Sequence, residues 1–174
     1  MLSYKGHNMG REIERKFLIE KLDESVFLSL GATKKEITQS YLVPSKDYPT
    51  RRIRKTNIGG VERYFYTEKS APYESFARVE NEWQIDLNRY LELQKERDLS
   101  LNEITKTRYV FAQNNLTYEV DVFPFFASFD ILEIELEDVS QPVTIPSFIK
   151  VIKEVSLDKA FTNQSMAREI PSLK

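Results

Sequence analysis

Apolar and polar residues alternate along eight separate stretches of the chain, a pattern typical of β-strands that present two different faces. In residues 11–20, the acids Glu12 and Glu14 fall on one face together with Lys16, and apolar side chains such as Ile13 fall on the other. The predicted strands are residues 11–20, 36–43, 50–56, 61–69, 77–86, 104–112, 116–123 and 131–137. The chain is therefore predicted to be mainly β.

Turn residues and short amphipathic stretches separate these strands. Residues 57–60 and the pair Asn114-Asn115 predict two tight hairpins, because Gly and Asn tolerate the backbone conformations that such turns require. Helices are predicted over residues 22–30, 87–99 and 146–153, with a helical turn at residues 163–168. The order strand, helix, three strands describes residues 11–69 and again residues 77–137, which indicates two β-α-β-β-β halves.

Eight antiparallel strands can close into a barrel, which removes exposed strand edges and divides the side chains into inside and outside. Two arrangements fit the alternation. In one, the apolar faces point inward and the charges face water. In the other, the charged faces line a wide interior, and the helices cover the outer apolar surface.

The charged faces consist almost wholly of long ionisable side chains of both signs, whereas solvated faces normally include Ser, Thr, Asn and Gln as well. The acids are Glu12, Glu14, Glu80, Glu82, Glu119, Asp121, Glu133 and Glu135, and the bases are Lys16, Arg52, Arg54, Lys69, Arg78, Lys106 and Arg108. Enclosed carboxylates repel one another and lose hydration. A divalent cation would relieve the acids and a polyanion the bases, and a metal-bound triphosphate would do both.

Absent residue types exclude other chemistries. The chain has no cysteine, which excludes thiolate zinc sites and iron–sulfur clusters. Its one histidine, His7, lies in the predicted leader, which argues against a Ser-His-Asp triad and a His-ligated metal. The five glycines form neither a P-loop nor a dinucleotide fingerprint, so side chains must hold any phosphate. A metal would sit among oxygen ligands, which favours Mg²⁺, Mn²⁺ or Ca²⁺. The net charge of −2 predicts no broad attraction to nucleic acid.

Length and hydropathy predict one domain of ordinary size. The 174 residues suffice for a real core, and 41% of them are hydrophobic. No apolar run approaches the roughly 18 residues that a membrane span needs, and residues 1–9 lack the apolar segment of a signal peptide. We therefore expect a flexible leader at residues 1–10, a single domain at residues 11–174, a cytoplasmic location and no membrane partner.

The charged motifs, in order, resemble those of the CYTH proteins, also called triphosphate tunnel metalloenzymes. The opening Glu12-Ile-Glu14-Arg-Lys16 matches the Glu-x-Glu-x-Lys signature of that family. The likeness continues through Arg52-Ile-Arg54, Lys69, Arg78-Val-Glu80-Asn-Glu82, Lys106-Thr-Arg108, Glu119-Val-Asp121, Glu133-Ile-Glu135, Glu154-Val-Ser156 and Asn163, so it spans about residues 11–168. Lys159 is similar to a basic residue near the family's C-terminal closing segment.

The resemblance implies an eight-stranded antiparallel tunnel with helices packed outside, binding a small triphosphate with Mg²⁺ or Mn²⁺. It assigns the triphosphate to the seven bases Lys16, Arg52, Arg54, Lys69, Arg78, Lys106 and Arg108. It assigns metal first to Glu12, Glu14, Glu133 and Glu135, and then to Glu119, Asp121, Glu80 and Glu82. Glu12, Glu14 and Lys16 are the expected catalytic residues.

Three functions remain open at this point. The first is a metal-dependent triphosphatase whose preferred candidate substrate is inorganic triphosphate, with nucleoside and thiamine triphosphate as the alternatives. The opening Glu12-Ile-Glu14-Arg-Lys16-Phe17 resembles the triphosphatases of the family more than its class IV adenylate cyclases. The second is a class IV adenylate cyclase, which converts ATP to cyclic AMP and pyrophosphate, although no base-reading pocket is evident. The third is a non-catalytic module that binds polyphosphate or a nucleotide. The sequence does not determine the oligomeric state.

Overall fold

The computed structural model describes residues 5–71 and 77–172, with the side chains of residues 5–9, 11 and 77 left out of the description. Nine strands occur in this part of the chain. They are β1 (Lys5–Glu20), β2 (Thr33–Leu42), β3 (Thr50–Ile58), β4 (Val61–Lys69), β5 (Ala77–Ile85), β6 (Ile104–Gln113), β7 (Leu116–Val122), β8 (Phe129–Glu135) and β9 (Val151–Glu154). Eight of them correspond to the eight predicted strands.

The sheet closes on itself. Its order is β5-β4-β3-β2-β6-β7-β8-β1-β9, and β5 also pairs with β1, so β1 to β8 form a closed barrel in which every described pairing is antiparallel. The first half of the chain supplies β1 to β4 and the second half supplies β5 to β8, each with a helix after its first strand. The predicted barrel of two β-α-β-β-β halves is confirmed.

The ninth strand corrects one prediction. Residues 146–153, predicted to be helical, instead form a loop followed by β9 (Val151–Glu154), which pairs with Phe17–Ile19 of β1. The pairing of β1 with β5 ends at Ile13, so the next part of that edge of β1 is available to another strand. Backbone pairing of this kind depends on distant residues and overrides the local helical tendency.

β1 also begins earlier than predicted. Residues 5–10, placed in the flexible leader, lie in β1 and pair with β5 from Gln84 to Glu80. Residues 1–4 lie outside the described residues.

The helices are short. They are α1 (Glu24–Ser29), α2 (Leu87–Leu93) and α3 (Asn163–Arg168), with 3-10 helices at Gln94–Glu96 and Lys159–Phe161. The predicted helix 87–99 is too long, because the chain leaves α2 through a 3-10 turn and Arg97 then forms a β-bridge with Leu42. Both predicted hairpins are confirmed: Gly59 and Gly60 have φ of 57° and 87°, and Asn114 and Asn115 have φ of 51° and 59°.

The helices cover the outer face of the barrel. Phe27 of α1 stacks on Tyr109 at 4.0 Å between ring centroids, and Leu93 of α2 packs in a buried cluster with Leu42 and Ile53. Burial of each such side chain contributes about 1.5–3 kcal/mol. The apolar faces therefore point outward under the helices, and the arrangement with charges inside is the observed one. No described helix is long and apolar enough to cross a membrane.

An apolar cluster fills the barrel interior at one end. Its strand residues fall on the same strand faces as the candidate charges, and they include Leu18, Tyr41, Ile104, Phe123, Phe129 and Ile131. Phe161 and Met166, from the C-terminal segment, belong to the same cluster. The interior is consequently packed with apolar side chains at this end, and the charged section of the barrel lies above it.

Candidate functional site

The barrel encloses a cavity of about 550 Å³ into which the charged faces point. Fourteen of the fifteen candidate side chains line it. They are Glu12, Glu14, Lys16, Arg52, Arg54, Lys69, Arg78, Glu80, Glu82, Lys106, Arg108, Glu119, Glu133 and Glu135. The remaining one, Asp121, is fully buried and accepts hydrogen bonds from Lys106 and Arg108. The structure thus gathers the whole predicted set into one place.

One side of the cavity carries more bases than acids. We call it the basic wall: it is formed by β3, β4 and β5, and its candidates are Arg52, Arg54, Lys69, Arg78, Glu80 and Glu82. Arg54 donates to both carboxylate oxygens of Glu82, at 3.0 and 2.8 Å, and Arg52 lies 3.3 Å from Glu80. This wall therefore carries four candidate bases and two candidate acids.

The other side carries more acids than bases. We call it the acidic wall: it is formed by β1, β6, β7 and β8, and its candidates are Glu12, Glu14, Lys16, Lys106, Arg108, Glu119, Asp121, Glu133 and Glu135. Arg108 contacts Asp121 and Glu133, each at 2.6 Å, and also pairs with Glu119. Lys16 lies 2.8 Å from Glu133. Three bases face six acids on this wall.

The excess of acids shows in the pKa of Glu14. Burial, together with the neighbouring Glu133, raises the pKa of Glu14 from 4.5 to about 7. Its nearest recorded cation is Lys16, at 3.6 Å. Glu135 lies directly opposite Glu14 in the β1–β8 register, and burial with the charge of Glu119 raises its pKa too. A further positive charge nearby would stabilise the ionised form of both carboxylates.

Glu12 connects the two walls. It lies on β1 but pairs with Lys69 at 2.5 Å and with Arg78 at 2.8 Å, both on the basic wall. Burial alone would raise the pKa of Glu12, but Lys69 and Arg78 outweigh that effect and lower it. Glu80 shares Lys69 at 3.0 Å, and its own pKa is raised by burial. One lysine thus holds two carboxylates together at the junction of the walls.

The C-terminal strand fixes the part of β1 that carries Lys16. The backbone N–H of Lys16 donates to Ser156 Oγ at 2.9 Å, and its carbonyl accepts from the N–H of Val155 at 2.8 Å. On the outer face, Arg15 donates twice to Glu154, at 2.8 and 2.6 Å. Glu154 and Ser156 entered the sequence analysis by resemblance alone. Ser156 contacts the backbone of β1 and Glu154 contacts the outward side chain of Arg15, and neither residue lines the cavity.

Solved structures share this barrel. The inorganic triphosphatase NE1496 is 28% identical to this chain with a TM-score of 0.55, and the match covers 92% of this chain and 97% of that one. The same protein, solved as the hypothetical protein NE1496, matches with the same identity and TM-score. The chain therefore shares the barrel fold of this inorganic triphosphatase, in agreement with the fold that the CYTH resemblance implies.

Other comparisons are more distant. PH1012 from Pyrococcus horikoshii OT3 is 24% identical with a TM-score of 0.52, covering 74% of this chain and 79% of its own, and it shows the fold alone. No family model and no curated protein matches the chain. Solved structures are therefore what shows the shared fold.

Several residues that line the tunnel were not predicted as site residues. They are Lys35, Tyr41, Thr50, Arg63, Phe65, Thr162, Asn163 and Gln164, among others. Lys35, Ile37 and Tyr41 share one face of β2. That face mixes charged and apolar side chains, so the sequence alone did not mark it as lining a charged cavity. Thr162 to Gln164 reach the cavity because Gln164 accepts a hydrogen bond from Thr50 at 2.9 Å, a contact between residues far apart in sequence.

The acids of the tunnel are not arranged as a preformed metal centre. No group of three or more Asp, Glu, His or Cys side chains surrounds a common point within the described part of the chain. The reason is visible in the contacts, because Glu12, Glu82 and Glu133 each turn toward a lysine or arginine. Oxygen ligands nevertheless suit Mg²⁺ or Mn²⁺, and the raised pKa values of Glu14 and Glu135 mark carboxylates that lack compensating charge.

Proposed function

We propose that this protein is a divalent-metal-dependent triphosphatase that hydrolyses a small triphosphate, most readily inorganic triphosphate, inside its tunnel. The single observation that carries the proposal is that a basic wall and an acidic wall face one enclosed cavity. The inorganic triphosphatase NE1496 shares this fold over 92% of the chain, which supports the reaction class.

The bases would hold the phosphates. Arg52 and Arg54 lie two residues apart on β3, with their side chains mostly enclosed, and arginine offers paired hydrogen bonds to phosphate oxygens. Their present partners, Glu80 and Glu82, are carboxylates that occupy the positions of anionic oxygens. A triphosphate would exchange these pairs for phosphate contacts, so the basic wall is already organised around anions.

Glu14 and Glu135 are the first candidates to hold the metal, with Glu12 and Glu133 beside them. Bound Mg²⁺ or Mn²⁺ would supply charge compensation on the phosphates and a water of lowered pKa. Protons on Glu14 oppose binding, since its pKa is about 7 and a ligand carboxylate must be ionised. The donor set, made of carboxylates alone, fits these hard cations.

Lys16 lies among the proposed metal-binding carboxylates and is itself one of the proposed phosphate-binding bases. It contacts Glu133 at 2.8 Å and Glu14 at 3.6 Å. Burial alone would lower the pKa of Lys16, but Glu133 and Glu14 outweigh it and keep the pKa above its ordinary value. Lys16 therefore remains cationic and can stabilise the charge that develops on the phosphoryl oxygens as water attacks in line with the leaving group.

The experiment is a product analysis with purified protein. Inorganic triphosphate, ATP and thiamine triphosphate are each incubated with Mg²⁺ or Mn²⁺, and orthophosphate, pyrophosphate and cyclic AMP are measured. We expect orthophosphate, with the highest kcat/KM for inorganic triphosphate, and no product in excess chelator. Cyclic AMP with pyrophosphate would identify a cyclase instead. Binding of triphosphate without any product at saturating metal would identify a non-catalytic binding module.

A further inference from the structure

The part of β1 that carries Glu14 and Lys16 lies where one edge of the strand changes its partner. The pairing with β5 ends at Ile13, and the pairing with β9 begins at Phe17. Within the described chain, residues 14–16 therefore have no strand paired along this edge, and β8 supports them on the other edge alone. Two of the proposed active-site residues thus depend on something other than strand pairing on one side.

A serine hydroxyl takes the place of the missing strand at Lys16. The backbone N–H of Lys16 donates to Ser156 Oγ at 2.9 Å, and its carbonyl oxygen accepts from the N–H of Val155 at 2.8 Å. Lys16 is only 8% exposed, and a buried backbone N–H without a partner is costly. Ser156 therefore supplies the acceptor that a neighbouring strand would otherwise supply.

The direction of the Ser156 hydroxyl is set from the outer surface of the barrel. Its one proton can go to Glu154 Oε1 at 2.7 Å or to the Lys16 carbonyl at 3.4 Å, and the shorter contact is the better hydrogen bond. Donation to Glu154 leaves the lone pairs of Oγ to the Lys16 N–H. Hydrogen bonds from Arg15, at 2.8 and 2.6 Å, lower the pKa of Glu154, so that Glu154 stays an anionic acceptor.

We propose that Ser156 is a positioning residue for Lys16, and that the ion pair of Arg15 with Glu154 holds Ser156 in place. The proposal rests on the triphosphatase function. A salt bridge on the outer face of the barrel would then control the position of an active-site lysine inside it. Arg15 and Lys16 are neighbours in the chain, so residues 154–156 hold both faces of β1 at this point.

The position of Lys16 matters because its ammonium group has close partners. Its Nζ lies 2.8 Å from Glu133 and 3.6 Å from Glu14, so a small movement of the backbone changes both contacts. A displacement of about 1 Å at a group that orients a reaction costs about a hundredfold in rate. Loss of the Ser156 hydroxyl should therefore be felt in the reaction, although Ser156 does not line the cavity.

The test compares Ser156→Ala with Ser156→Thr, which keeps the hydroxyl. With saturating Mn²⁺ and inorganic triphosphate, we expect Ser156→Ala to lower kcat/KM by about tenfold to a hundredfold, and Ser156→Thr to restore most of the loss. Asp86→Ala is the matched control, because it also removes a side-chain acceptor from a backbone N–H, that of Arg89 at 2.8 Å, outside the cavity lining. It should stay within about twofold of wild type.

Glu154→Ala supplies the second arm. It should lower kcat/KM severalfold in the wild-type background and have no further effect in Ser156→Ala, since Glu154 acts through that hydroxyl, whereas an independent structural role would add in both backgrounds. Its control is Glu20→Ala, which removes an exposed ion pair with Lys150 at 3.5 Å between the same two parts of the chain. This control should behave as wild type.

Hydrogen exchange at the Lys16 amide tests the contact without any turnover. Ser156→Ala should exchange this amide faster than Ser156→Thr, and equal rates in the two variants would overturn the contact itself. Wild-type protein that hydrolyses no triphosphate would contradict the triphosphatase instead. Wild-type turnover with kcat/KM unchanged in Ser156→Ala, equal losses in Ser156→Ala and Ser156→Thr, or additive effects of Glu154→Ala would each overturn the positioning role alone.

Discussion

The two walls of the tunnel are built from the same kinds of strand yet differ in charge. Among the predicted site residues, four bases and two acids belong to β3, β4 and β5, whereas three bases and six acids belong to β1, β6, β7 and β8. On the basic wall the cations lower the pKa of Glu82, although burial alone would raise it. On the acidic wall burial and neighbouring carboxylates raise the pKa of Glu14 to about 7.

This difference means that the two walls favour different ligands. The basic wall has donors to spare, and the acidic wall has negative charge to spare. Among the described residues, the ion pairs within each wall leave some donors without acceptors and some carboxylates without a compensating cation. A ligand that brings anionic oxygens to one wall and a cation to the other satisfies both, which is the physical case for a metal-bound triphosphate.

The largest expected effect comes from removing one charge of the acidic wall. Glu14→Gln should lower kcat by more than about a hundredfold at saturating Mn²⁺, because it removes a proposed metal ligand in an enclosed site. Phosphate release from inorganic triphosphate measures this. Glu92→Gln, on the exposed surface of α2, is the control and should behave as wild type. Near-normal turnover of Glu14→Gln would break the assignment of the acidic wall.

Substitutions on the basic wall should lower the affinity for triphosphate. Arg54→Ala should weaken binding of inorganic triphosphate by about tenfold or more, because a charge-assisted pair of hydrogen bonds is lost. The matched control is Lys55→Ala on the same strand, since Lys55 forms an exposed ion pair with Glu62 at 3.3 Å. Calorimetric titration of both variants compares them. Equal affinities for Arg54→Ala, Lys55→Ala and wild type would mean that the bases serve only to pair with glutamates.

A smaller effect should appear in stability without any ligand. The folded protein holds a proton on Glu14 up to pH about 7, whereas the unfolded chain releases it near 4.5, so ionisation of Glu14 destabilises the fold as pH rises between those values. Glu14→Gln should therefore match wild type below pH 4 and exceed it above pH 7 by on the order of 1–3 kcal/mol. Urea unfolding at several pH values measures this, and a pH-independent difference would contradict the raised pKa.

Most of the barrel could be predicted because its signals are local. Alternation is a property of each strand by itself, and the hairpin turns depend on residues such as Gly59 and Asn114 whose backbone conformations few others adopt. The candidate charges followed from the same alternation, since residues two apart share a face. Strand residues such as Lys69 and Glu133 consequently lie in one cavity, as predicted.

The remaining features depend on contacts between distant parts of the chain. β9 is a strand because an edge of β1 is available to it, and nothing in residues 151–154 alone indicates that edge. Tyr41 and Gln164 reach the cavity through barrel closure and through docking of the C-terminal segment. The absence of a preassembled group of acids in the described residues was equally unpredictable, because it depends on which cation each carboxylate meets.

The most direct test of the two-wall account is a thermal melt with triphosphate and metal added separately and together. A ligand that binds only the folded state stabilises it by roughly 2.7 kcal/mol at a hundredfold excess over its Kd, which for a domain of this size raises Tm by several degrees. The account predicts a larger rise with inorganic triphosphate plus Mn²⁺ than the sum of the rises with each alone, and little rise with AMP. Equal shifts with AMP and triphosphate, or no shift with any triphosphate and metal, would contradict it.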